Sequence, residues 1–161
     1  MAAEASRGLA PCSLAGASSA WSPALSPDGA VLAFLSDRTG APELMLLDRN
    51  SGEERAVPSA PAGTRQVQWS VDGEWLSLLV APQGSPRTQV WVLRPDGSAL
   101  RALPGVAGGA SFLGPWTHEP GVLAVAHTTE QPGEGIARLE CARGGEPRLI
   151  ASGGQPLVLD L

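Results

Sequence analysis

The chain has 161 residues, 43% of them hydrophobic and 17% charged, which is enough apolar material for an ordinary globular core. Its formal net charge is −5 and every basic residue is an arginine, so it lacks the positive field that phosphate recognition needs, and neither nucleic acid nor an anionic membrane is an expected partner. No apolar run reaches the roughly 18 residues of a membrane-crossing helix, and the opening MAAEASRGLA has no apolar core for a secretion signal, so a cytoplasmic location is the expectation.

In chain order, residues 1–20 read as an irregular N-terminal segment. Within it Arg7-Gly8-Leu9 matches the pattern of Arg55-Ala56-Val57 and is a candidate outer strand for the last blade of a closed ring. Residues 21–161 are written about three times over. ALSPDGAVLAFLSDRTGAPELMLLDRNSGEERAV, from Ala24, returns as QWSVDGEWLSLLVAPQGSPRTQVWVLRPDGSALRAL, from Gln68, and again, eroded, as PWTHEPGVLAVAHTTEQPGEGIARLECARGGEPRLI, from Pro115. The offsets agree: 44 positions from Asp28 to Asp72, and 46 both from Leu44 to Val90 and from Val90 to Ile136. A period of this size with several short strands per copy marks a unit that buries its apolar faces only by stacking on its neighbours.

The first copy, residues 21–60, divides into Trp21 to Ser26, Val31 to Ser36, Glu43 to Asp48 and a polar outer strand, Glu54 to Val57. Turn chemistry separates them. In Ser26-Pro27-Asp28-Gly29, Pro27 presets φ, Asp28 can cap backbone amides and Gly29 supplies a positive φ. Val31 to Leu35 is apolar on both faces, as suits a strand held between neighbouring sheets. The second copy, residues 64–105, repeats this with Ser70-Val71-Asp72-Gly73, Trp75 to Val80, Gln89 to Arg94 and Leu100 to Leu103. The third, residues 109–151, offers Val122 to His127, Ile136 to Cys141 and Pro147 to Ala151, and residues 152–161 read as the inner strand of a fourth. No window has a helical period, and Pro and Gly recur too often for long helices. The fold class is therefore all-β: β-propeller blades of four antiparallel strands, about three blades plus one strand, an incomplete propeller. Propellers close with four to eight blades, so a fragment of a longer protein is the expectation.

SPDGAVLAFLSDRTGAPELMLLD and QVWVLRPDGSALRAL resemble the WD40-like propeller repeat of TolB and of the N-terminal propellers of prolyl oligopeptidase-type (S9) serine peptidases, including their acylaminoacyl-peptidase branch. In those peptidases a similar propeller caps an α/β-hydrolase domain and restricts which peptides reach a Ser-Asp-His triad. The resemblance implies a non-catalytic substrate gate whose partner is a downstream hydrolase domain, with peptides as the substrates, or else a TolB-like propeller that binds another protein. The sequence contains no G-x-S-x-G elbow, so no triad residue is carried over.

Accordingly, no catalytic, cofactor-binding or metal-ligating residue is assigned, and no cofactor is expected. His118 and His127 are the only imidazoles and have no evident partners, so both are read as surface or structural. Asp28, Asp72 and Asp96 recur at turns, which points to local capping rather than paired-carboxylate chemistry. Trp69 and Trp116 fall on matched inner-strand positions, and packing between blades is the expected use of these, of Trp75 and of Trp91. Arg38, Arg55, Arg94, Arg101 and Arg148 recur near strand ends and read as solvated rims. Cys12 and Cys141 match no metal spacing and read as unpaired thiols.

Overall fold

A computed structural model describes residues 18–154. The proposed outer strand at Arg7 lies outside the described residues, as does the fourth-blade strand read over 152–161 from Gln155 onward; Ser152 instead ends the last strand of the third sheet. Among the described residues twelve strands form three separate antiparallel sheets. The first blade holds β1 (Ala20–Leu25), β2 (Val31–Ser36), β3 (Glu43–Asp48) and β4 (Glu54–Ala56). The second holds β5 (Thr64–Trp69), β6 (Leu76–Val80), β7 (Gln89–Leu93) and β8 (Arg101–Ala102). The third holds β9 (Ser111–Trp116), β10 (Val122–Thr128), β11 (Gly135–Cys141) and β12 (Arg148–Ser152). Each sheet runs in strand order, and apart from a single 3-10 turn at Pro82–Gly84 no helix occurs among the described residues.

The β1–β2 turn forms as its residues require. Asp28 Oδ1 accepts from Ser26 Oγ at 2.6 Å and from the Ala30 amide at 3.0 Å, while Ser26 Oγ accepts from the Val31 amide at 2.9 Å. Gly29 sits at φ 72°, where a Cβ is strained. Ser70, Asp72 and Gly73 repeat the arrangement in the second blade, with Gly73 at φ 70°. In the third, Thr117 replaces the serine and its Oγ1 accepts from the Glu119 amide at 3.2 Å.

Strand register sorts the side chains onto two faces per blade. In the first blade Ala33, Leu35, Leu44 and Leu46 pack onto Val67, Leu76, Leu78, Val80 and Leu93 of the second as one buried cluster. The opposite face of the second blade, with Val90 and Val92, packs onto Trp116, Leu123 and Val125 of the third. Each blade is thus buried by its successor rather than by itself, which is what the both-sided apolar strands anticipated.

Strand ends differ in places from the sequence reading. The outer strand of the second blade shortens from four residues to Arg101–Ala102, because the Pro95-Asp96-Gly97 turn is followed by Ala99 at φ 53°, which bends the chain before pairing resumes. Trp75 precedes β6 instead of heading it, its amide held by Ser70 Oγ at 2.9 Å. The inner strand of the third blade, β9, contains Gly114-Pro115 and carries a register shift; as the innermost strand of its sheet it tolerates a proline.

Candidate functional site

The seams between blades carry the unusual chemistry. At the first seam, Trp69 Nε1 donates to the Ala24 carbonyl at 3.0 Å, and the Val67 amide donates to Ser22 Oγ at 3.0 Å. Ser22 lies in the bulge of β1 at φ 52°, a strained angle for a non-glycine residue that aims its hydroxyl at the next blade. At the second seam Trp116 Nε1 donates to the buried Ser77 Oγ at 3.0 Å. Trp75 is buried and carries the Arg94 guanidinium 4.3 Å above its ring; Trp91 packs against the first cluster. The expected packing role of these four tryptophans therefore describes where they sit.

The second seam is also polar where the first is apolar. Register and repeat spacing put His127 where the second blade has Val80 and Glu140 where it has Leu93. Both are buried, at 1% exposure, and both retain an unpartnered atom, His127 Nε2 and Glu140 Oε1. His127 Nδ1 lies 2.9 Å from Ser111 Oγ. Burial, reinforced by the nearby Arg138 guanidinium, holds the imidazole pKa down at about 4. Burial pushes the Glu140 carboxyl up, against the opposing pull of Arg138 and Arg101. Of the two histidines, His118 is exposed in its turn, as expected, and His127 is wholly internal. Such a weakly basic imidazole, contacting serine through Nδ1 and with nothing orienting Nε2 among the described residues, is not equipped to activate Ser111 as a nucleophile at neutral pH.

The end of the molecule that carries the β1–β2 and β3–β4 turns is saturated with internal bonds. Glu74 accepts from Arg94 and Arg143, each at 3.0 Å, and Arg148 pairs with Glu119 at 2.6 Å. Arg55 donates to the Pro95 carbonyl at 2.8 Å, and Arg101 donates to the Ala142 carbonyl at 3.0 Å and to that of Cys141. Arg38, at the other end of the first blade, pairs with Glu54. These arginines therefore staple neighbouring turns and blades together in addition to facing solvent. Asp28 and Asp96 are exposed turn caps whose carboxyls lie below the usual range, the first chiefly through Ser26 and the second chiefly through Ser98.

The opposite end carries the β2–β3 turns and the connections between blades, and its seams open into clefts. One, lined by Trp21, Pro42, Gly63, Thr64 and Arg65, lies between the first and second blades. The other, of about 280 Å³, lies between the second and third, with Arg87, Leu103, Val106 and Ser111 among its walls. Among the described residues no group of three or more His, Cys, Asp or Glu side chains could hold a metal ion, and Cys141 is unpaired. Sequence reasoning did not single out Ser111, Arg87 or Glu140. Glu140 alone had a readable signal, an acid standing in the repeat where two leucines, Leu47 and Leu93, stand before it.

Three stacked sheets of four antiparallel strands, innermost strand first and each buried by its neighbour, define the class: this is a run of β-propeller blades. No established sequence family matches the chain. Over 60 residues it is 42% identical to the uncharacterized peptidase YuxL of Bacillus subtilis, a match covering 37% of this chain and 9% of that protein. Among solved structures it is similar to TolB from Acinetobacter baumannii (TM-score 0.56, 21% identity, 83% of this chain and 32% of that one). It is equally similar to Pyrococcus horikoshii acylaminoacyl peptidase (0.60, 16%, 83% and 25%) and to the β-propeller domain of the Trilobed protease from Pyrococcus furiosus (0.57, 14%, 83% and 44%). The chain thus spans less than half the length of each of these proteins.

Proposed function

We propose that this chain is the non-catalytic propeller part of a prolyl oligopeptidase-type (S9) serine peptidase, where it gates peptide access to a hydrolase domain and scaffolds it. The observation that carries this reading is the 42% identity to a peptidase over 60 residues. The chemistry of the chain itself is compatible: its best-placed serine and imidazole, Ser111 and His127, are buried in a seam and poorly matched for nucleophilic catalysis. A gate supplies shape and access, and the triad belongs to its partner.

The test is the coding sequence beyond Leu161 together with an activity assay. An in-frame hydrolase domain with a G-x-S-x-G elbow is the expected finding. The 161-residue chain alone is expected to leave acyl-peptide and aryl-ester substrates unhydrolysed. Further blades followed directly by a stop would overturn the reading in favour of a TolB-like interaction propeller, which the likeness to TolB supports. Turnover by the isolated chain that disappears in His118→Ala or His127→Ala would overturn both.

A further inference from the structure

We propose that the cleft between the second and third blades binds the C-terminal residue of a peptide, its carboxylate on Arg87 and Ser111 and a small apolar side chain against Ala102, Leu103 and Val106. The choice of a peptide as ligand rests on the gating reading above; the geometry of the cleft does not.

Three features support it. First, the volume of about 280 Å³ suits one residue rather than a cofactor. Its lining combines apolar Ala102, Leu103 and Val106 with polar Arg87, Thr88 and Ser111. A terminal residue has the same combination, an apolar side chain beside a charged carboxylate.

Second, Arg87 is exposed and, among the described residues, its guanidinium makes no hydrogen bond or ion pair, unlike the stapled arginines of the opposite end. A planar guanidinium with all its donors unused is the natural partner of a carboxylate.

Third, Ser111 keeps a donor for the second oxygen. His127 is neutral, so one of its ring nitrogens bears the proton. A buried N–H without a partner is rarer than a bare acceptor. Since Nε2 is the unpartnered atom, the favoured tautomer carries its proton on Nδ1 and donates it to Ser111 Oγ. The serine O–H is then left without an acceptor among the described residues, and Ser111 is part of the cleft lining. The equivalent hydroxyl at the first seam, Thr64 Oγ1, is instead spent on the Pro61 carbonyl at 2.6 Å. At Gly109 the lining passes so close to β10 that a Cβ there would collide with the Thr128 carbonyl.

The experiment is amide-resolved NMR titration of the full chain with the tetrapeptide Ala-Ala-Ala-Val and, separately, with its C-terminal amide. The free acid is expected to shift the signals of Val106 and Ser111 saturably at roughly millimolar concentration, and the amide to bind about tenfold more weakly. Arg87→Gln should erase that difference and Ser111→Ala should reduce it, while Arg65→Gln in the other cleft should leave it intact. Equal binding of acid and amide, or shifts confined to residues around Arg65, or no saturable shift, would overturn the proposal. If Ser111→Ala disturbs folding, exposed Arg87 still decides the matter. Failure here would leave the test of the gating reading untouched, because that test reads the coding sequence and not this cleft.

Discussion

Trp69 and Trp116 reach in the same sense one blade apart: each sends its indole N–H back across the seam to the preceding blade, Trp69 to the Ala24 carbonyl and Trp116 to Ser77 Oγ, both at 3.0 Å. The direction of the contact is therefore shared by the two blades, and its acceptor is not. Trp116→Phe keeps most of the buried ring but leaves Ser77, which is fully buried, without its donor. A loss of about 1–2 kcal/mol is expected, with Trp69→Phe costing about 1. Denaturant unfolding of the two variants against the parent chain checks this; unchanged midpoints would mean that the indoles only fill space.

The paired oddities of the second seam give a pH dependence of opposite signs. His127 has a folded pKa of about 4 against an ordinary value of 6.5, so the unfolded chain binds the extra proton between those values and stability falls as pH drops from about 6.5 to 4. The loss reaches up to about 3 kcal/mol. Glu140, with its pKa raised, works the other way: the unfolded state ionises first, and stability falls as pH rises above the ordinary carboxyl value of 4.5 until the buried carboxyl also ionises. His127→Val and Glu140→Leu restore what the second blade has at these positions. The first should flatten the acid limb and the second should raise stability at neutral pH. Chemical denaturation at a series of pH values measures both, and an acid limb that survives His127→Val would refute the assignment.

Glycine substitutions separate two kinds of turn. Gly29→Ala and Gly73→Ala force a Cβ into positive φ with neighbours only at ordinary contact distance, and each should cost about 1 kcal/mol. Gly63→Ala should cost more, since at φ 84° its Cβ would also meet the backbone carbonyl of Ala81. Thermal melts of the three variants rank them; equal losses at Gly63 and Gly29 would show that the loop moves aside.

Much of this fold was legible because its turns are local. Asp28 and Gly29 close their turn with groups within a few residues, so the text SPDG and the structure agree, and β2 and β3 have the bounds the sequence suggested. The seams were harder to read. That His127 is internal, that Ser111 meets it 16 positions away, and that Arg87 has no partner among the described residues all depend on which face register turns inward, and a register is fixed by pairing with distant strands. The inner strand β9 was located in the sequence only through Trp116; it accommodates Gly114-Pro115 because it lies at a sheet edge.

The last expectation concerns the outward face of the first blade. Leu25, Leu32, Phe34 and Leu47 stand in the repeat where the second blade has Trp69, Leu76, Leu78 and Leu93, the surface it packs against its predecessor. Here Leu25 is 50% exposed and the other three are partly so. An apolar sheet face of this kind seeks a partner, so the isolated chain is expected to self-associate with rising concentration. Phe34→Lys combined with Leu47→Ser should shift it toward monomer, because these positions contribute to association more than to the core between the first two blades. Size-exclusion chromatography with light scattering over a concentration series is the measurement. A compact monomer throughout, melting in one sharp transition in both parent and variant, would mean that this face is satisfied within the chain and that the stacking logic of the repeat stops at the first blade.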